Sequence, residues 1–243
     1  MFRCSGNRLV FLCELLAVVL FSLFHMKACF RGVLLGLAVV ILCGTTAQAH
    51  PHVWVDAAVI VHLNDDGRIV ALEPVWIFDD LYTETLLQDL DQDLSGQVEK
   101  AELNNFAGDA VRNLHEWDYF LSARKAGAEK LVFTKEVTAD GDLLNNRLVL
   151  RFKLTLDQPI VLSQAIELKM YDPSYFISIE LVPENTVSFV AGEAKGCGYK
   201  TIEPDDAVGT EQPLSDLFFS DEEVAANPEL GSIFAATLRV TCS

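Results

Sequence analysis

Basic residues are scarce: 18 Lys and Arg stand against 35 Asp and Glu over 243 residues. Such a chain repels nucleic acid and anionic lipid, both of which require basic patches, so metal cations are the expected partners and nucleic acid is excluded. Cysteine runs out early, with only Cys197 and Cys242 beyond residue 49, and no paired-cysteine zinc motif is present. There is no G-x-S-x-G elbow and no P-loop, which leaves conventional hydrolases and phosphotransferases without support. Internal repeats and low-complexity tracts are absent too. The first apolar run, "LVFLCELLAVVLFSLF", has about 16 residues interrupted by Glu14, short of the roughly 20 that span a bilayer.

What the N-terminus does contain reads as a targeting segment, 1–49. A secretory signal needs a basic start, an apolar run and an A-x-A-like cleavage site. Lys27 and Arg31, the run Gly32 to Cys43, and Ala47-Gln48-Ala49 supply all three, with Met26 as the expected true start. The alternative is an uncleaved anchor that uses residues 1–24. Leu42 before Cys43 is not the small residue a lipoprotein signal wants. Cleavage after Ala49 puts the mature protein in the periplasm and makes His50 its first residue. The leader takes with it Arg3, Arg8, Lys27, Arg31 and Glu14, so 14 basic and 34 acidic residues remain, a balance of −20. In an oxidising compartment Cys197 and Cys242 are expected to form a disulfide.

Residues 50–243 read as a single mainly β domain. In "HVWVDAAVIVHL", Val53, Val55, Ala57, Val59, Val61 and Leu63 alternate with more polar residues, the period of a half-buried strand. Similar runs follow at "RIVALEPVWIF", "YFLSAR", "KLVFTKEV", "RLVLRFKLTL", "AIELKMY", "YFISIEL", "TVSFVAG" and "SIFAATLRVTC", with turn signals at "NDDG", "ADGD" and "DQP". Many short strands without alternating helices predict an antiparallel β-sandwich. The acidic, proline-bearing stretch 203–216 reads as a surface loop.

One segment, 79–117, switches to helical spacing. Leu86, Leu87 and Leu90 precede a polar centre, and Phe106, Ala110, Leu114 and Trp117 follow it, which predicts a helix-loop-helix insert. The centre, "DQDLSGQVEKAE", fits the twelve-residue EF-hand-type calcium pattern. Asp91, Asp93 and Ser95 occupy positions one, three and five, Gly96 the turn at six, Gln97 the backbone carbonyl at seven, Glu99 position nine and Glu102 the closing position. Calcium takes six to eight oxygens, so alternate early side chains and a final two-oxygen carboxylate suit it. Val98 is expected to pin the loop to the flanking helices. A solvated acidic loop capping a helix would share the Asp and Ser residues but does not require the glycine and terminal glutamate together. The similar stretch 62–73 starts with His62 between strand-like flanks and reads as a hairpin turn instead.

His50 and His52 are candidate transition-metal donors. A free N-terminal His50 offers its amine and imidazole to copper, zinc, nickel or cobalt. Pro51 lacks an amide hydrogen, which removes the chelate built from successive backbone amides. His52 could add an imidazole, whereas His62 lies too far along an extended strand. Ordinary exposed histidines at a frayed terminus are the plainer explanation.

The opening "AHPHVWVDA", the early "FDDLY", the embedded calcium-type loop, the "YDPSYFISIEL" segment and the cysteine pair resemble domain-of-unknown-function family 1007. The resemblance implies an exported bacterial protein of the kind often labelled a periplasmic component of an uncharacterised transport system, with an inner-membrane nickel/cobalt-type transporter as candidate partner. It brings no established activity. Tyr171, Asp172, Pro173, Tyr175 and Phe176 match the family's second motif; by themselves they read as strand, turn and strand with aromatic packing. Three functions fit: a non-catalytic, metal-binding transport accessory, which is the expected one; a copper-dependent oxidative enzyme using an N-terminal histidine; and a solute-binding transporter component, which the strand-rich pattern does not favour.

Overall fold

In the computed structural model, period-two alternation becomes ladder. The structure describes residues 52–126, 129–161, 165–190, 196–204 and 230–242. Strand β1 (Val53–Leu63) buries every odd-numbered residue, and β2 (Ile69–Phe78) returns antiparallel beside it. The turn between them closes as expected for 62–73: the Asn64 side chain accepts from the N–H groups of Asp66 and Arg68, and Gly67 supplies φ +72°. After the helical insert come β3 (Leu121–Lys125), β4 (Phe133–Leu144), β5 (Arg147–Ile160), β6 (Ile166–Met170), β7 (Ile177–Leu181), β8 (Val187–Val190), β9 (Cys197–Ile202) and β10 (Thr237–Cys242). The helices are α1 (Asp80–Leu90), α2 (Lys100–Leu114) and a short α3 (Leu230–Phe234), with a 3₁₀ segment at His115–Phe120.

Two sheets result. One runs β4-β5-β2-β1-β7, with β8 pairing further along β1; the other runs β3-β6-β10-β9. The expectation of purely antiparallel sheets is corrected here, because β7 and β8 both pair parallel to β1. The chain leaves β5, enters the second sheet at β6 and crosses back to β7. Such a crossover delivers a parallel strand without altering its alternation. Buried residues of both sheets, from Val59, Trp76 and Phe152 to Leu168 and Val240, join Leu103, Ala107 and Val111 of α2 in one hydrophobic cluster.

Four local expectations also change. "ADGD" and "DQP" lie within β4 and β5, and the actual β4–β5 turn is Asn145-Asn146, both at positive φ. Gly141 sits in a strand because α2 packs against it: a Cβ there would lie 2.2 Å from the Leu103 carbonyl oxygen. The buried stripe of α2 is Leu103, Ala107 and Val111, with Phe106, Ala110 and Leu114 packed beside it. Trp117 falls beyond α2 and is exposed. In "SIFAATLRVTC" the first residues belong to α3 and only Thr237–Cys242 is strand. The leader, His50 and most of the stretch 203–216 lie outside the described residues. Among those described, no helix is long and apolar enough to cross a membrane.

Candidate metal-binding loop

The loop joining α1 to α2 draws its acidic side chains inward. Asp91, Asp93 and Glu102 each offer a carboxylate oxygen, and these oxygens lie within 4.8 Å of one another. Backbone geometry produces the convergence. Leu94 and Gly96 take positive φ, +59° and +84°, so the chain reverses sharply between the third and seventh positions. Asp91 then accepts from the N–H groups of Ser95 (2.9 Å) and Gly96 (2.9 Å), and Asp93 from that of Ser95 (3.0 Å). At the far end the Glu102 carboxylate spans the loop, one oxygen accepting from Gln92 N–H at 2.9 Å and the other from Glu99 N–H at 3.0 Å. The Ser95 hydroxyl donates to the Gln97 carbonyl (2.8 Å) and the Glu99 carboxylate (3.1 Å). All six residues singled out from the sequence thus belong to one connected cluster.

Electrostatics leave that cluster short of positive charge. Lys100 is adjacent in sequence, yet its Nζ turns to β4, 2.6 Å from the Gly141 carbonyl and 2.9 Å from Asp140. Arg151 joins the same β4 group through Asp140 (3.2 Å) and Asp142 (3.0 Å). The hydrogen bond to Glu102 holds the Glu99 carboxyl above its ordinary range, with the Ser95 hydroxyl opposing it. Glu102 is held below its ordinary range by the N–H groups of Glu99 and Gln92. The two adjacent carboxyls are thus pushed in opposite directions.

Both flanking helices are anchored to the sheets. The Asp79 side chain caps α1 by accepting from Tyr82 N–H at 2.8 Å and also from Trp54 N–H of β1 at 3.0 Å. Buried Thr83 accepts from Leu148 N–H of β5 at 3.1 Å. On α2, the Asn104 side chain accepts from Gly141 N–H at 3.2 Å. Val98 packs against the hydrophobic cluster. Nothing local in the sequence signals the contacts of Lys100 and Asn104 with Gly141, since they join residues 37 to 41 positions apart.

The histidines, the cysteine pair and the second motif lie elsewhere. His52 stacks on Phe176 with ring centroids 4.6 Å apart, and its amide donates to the Phe176 carbonyl at 2.8 Å. His62 is on the β1–β2 ladder, 2.6 Å from Glu73, and His115 packs edge-on against Tyr119. Cys197 and Cys242 are bonded and face each other across β9 and β10. The second motif is held by buried Asp172, which accepts from Ser174 N–H (2.9 Å), the Ser174 hydroxyl (2.8 Å) and Ile177 N–H (3.0 Å).

These features define a mainly β protein with an acidic helix-loop-helix insert. The family model described as "Protein of unknown function (DUF1007)" matches residues 35–242. The chain belongs to that family. A similar protein of Haemophilus influenzae, described as an uncharacterized protein, is 23% identical over 199 residues, covering 80% of this chain and 91% of that protein.

Proposed function

We propose that this chain is an exported, non-catalytic metal-binding accessory protein that takes one calcium ion in the Asp91–Glu102 loop, on a scaffold whose two sheets form a sandwich. The observation that carries this reading is the convergence of Asp91, Asp93 and Glu102 oxygens within 4.8 Å. The hard oxygen set favours calcium over zinc or copper. Ser95, Glu99 and the Gln97 carbonyl complete the donor set, and the anchored helices keep the ends of the loop in place. Handling of a transition metal for an inner-membrane transporter is assigned to His50 and His52, in a periplasmic protein cleaved after Ala49. Equilibrium dialysis against about millimolar calcium tests the loop: one bound ion per chain is expected, and no uptake sinks the reading. His50→Ala should leave that uptake intact while removing nickel, cobalt, zinc or copper binding.

A further inference from the structure

A groove of about 440 Å³ lies on the side of the molecule opposite β1's pairing with β2, along the outer edge of β7. One wall is the whole of Ile177–Leu181, and the far wall includes Glu203 and Pro204 after β9 and Phe234 and Ala235 before β10. In a parallel ladder, alternate residues present their N–H and C=O to the neighbouring strand. Val182 N–H donates to Ala57 carbonyl oxygen, which fixes the even-numbered positions of β7 as those facing β1. Ile177, Ile179 and Leu181 therefore turn their backbone groups to the groove. Asp172 takes the Ile177 N–H at 3.0 Å. No described strand pairs with the remainder of this edge.

The groove also has a sign. None of its described lining residues is Lys, Arg or His, whereas the exposed carboxylates of Glu180 and Glu203 line it. Among the described residues neither has an ion-pair partner. Tyr171 and Tyr175 line it too, the Tyr175 ring stacked on Phe234 with centroids 4.2 Å apart. The chain's own stretch 205–229 carries eight acidic residues and no basic one, and so does not match this charge. A second copy would bring its own Glu180 and Glu203 to the same edge.

We propose that the outer edge of β7 is a docking site for an extended, lysine- or arginine-bearing segment of a partner protein, which adds to the sheet as a strand while its basic side chains meet Glu180 and Glu203. Backbone pairing supplies the affinity in such a mode, and side chains at alternate positions supply the selectivity. This inference does not depend on the calcium reading.

The test uses the full chain and a labelled acetyl-(Val-Lys)₄-amide peptide, read by fluorescence anisotropy at about 0.15 M salt, where long-range attraction is largely screened. The peptide should bind, and its (Val-Glu)₄ counterpart should not. Combining Glu180→Gln with Glu203→Gln should weaken binding by about tenfold, the scale of two surface ion pairs. The same lysine peptide N-methylated at every backbone amide, which keeps the charge but cannot donate along either edge, should lose binding altogether. Equal binding of the methylated peptide, or unchanged affinity of the double variant, would overturn the proposal.

Discussion

Removing the Cys197–Cys242 bond by the paired substitutions Cys197→Ser and Cys242→Ser is expected to cost about 4 kcal/mol. The cysteines are 45 positions apart, and closing a loop of that length lowers the entropy of the unfolded chain by an amount worth ~4 kcal/mol at 25 °C in the chain-entropy treatment. Little in the folded state offsets the loss. Among the described residues β9 is the end strand of its sheet and pairs only with β10, so the bond closes a two-strand ladder whose register already brings the two residues opposite each other. For a protein of this size each kcal/mol moves Tm by roughly 2–4 °C, which gives a fall of about 8–16 °C. Circular-dichroism melts of the parent and the double variant, repeated on the parent with reductant, measure it. A fall below about 3 °C, or reductant without effect on a parent shown to be oxidised, would refute the loop-closure reasoning.

Other consequences follow from the anchoring of the loop and the second motif. Gly141→Ala places a Cβ against the Leu103 carbonyl oxygen, a backbone atom that cannot swing aside; a loss of about 2–3 kcal/mol in urea unfolding is expected from overpacking, together with a weaker response to calcium. Asp172→Ala strands the N–H groups of Ser174 and Ile177, so denaturant melts should show a loss of about 2–3 kcal/mol. The folded Glu99 carboxyl holds its proton more tightly than the unfolded chain does, so in the absence of calcium its contribution to stability falls as pH rises through the carboxylate range. Calcium should offset that fall, and the calcium-induced rise in Tm should shrink as pH drops through the same range; a rise that persists undiminished to about pH 4 would contradict the carboxylate assignment.

The sequence made the strands and the helix pair legible because each depends on spacing a few residues long. Alternation in β1 survives intact in the structure, and Asp91, Asp93 and Glu102 of the loop come within reach of one another. Other features depend on distant partners. Gly141 reads locally as a turn residue and is instead the point where α2 touches β4. The parallel placement of β7 and β8 is set by a crossover between sheets, and a strand's own alternation carries no record of its neighbour's direction. Lys100 looks from the sequence like part of the acidic loop, but Asp140 and the Gly141 carbonyl draw it onto the sheet. That long-range contact keeps the one adjacent cation out of the carboxylate cluster.

Calorimetric titration of calcium into the parent and Glu102→Gln proteins tests the central assignment most directly. Glu102 is the closing carboxylate that spans the loop through Gln92 and Glu99, and the substitution removes both its charge and its two-oxygen grip. The parent should bind with Kd in the roughly 10⁻⁴ to 10⁻³ M range of extracellular modules, and the variant at least about tenfold more weakly, a loss of ~1.4 kcal/mol. Equal affinity in the two proteins would make the loop an acidic helix cap and contradict the calcium assignment.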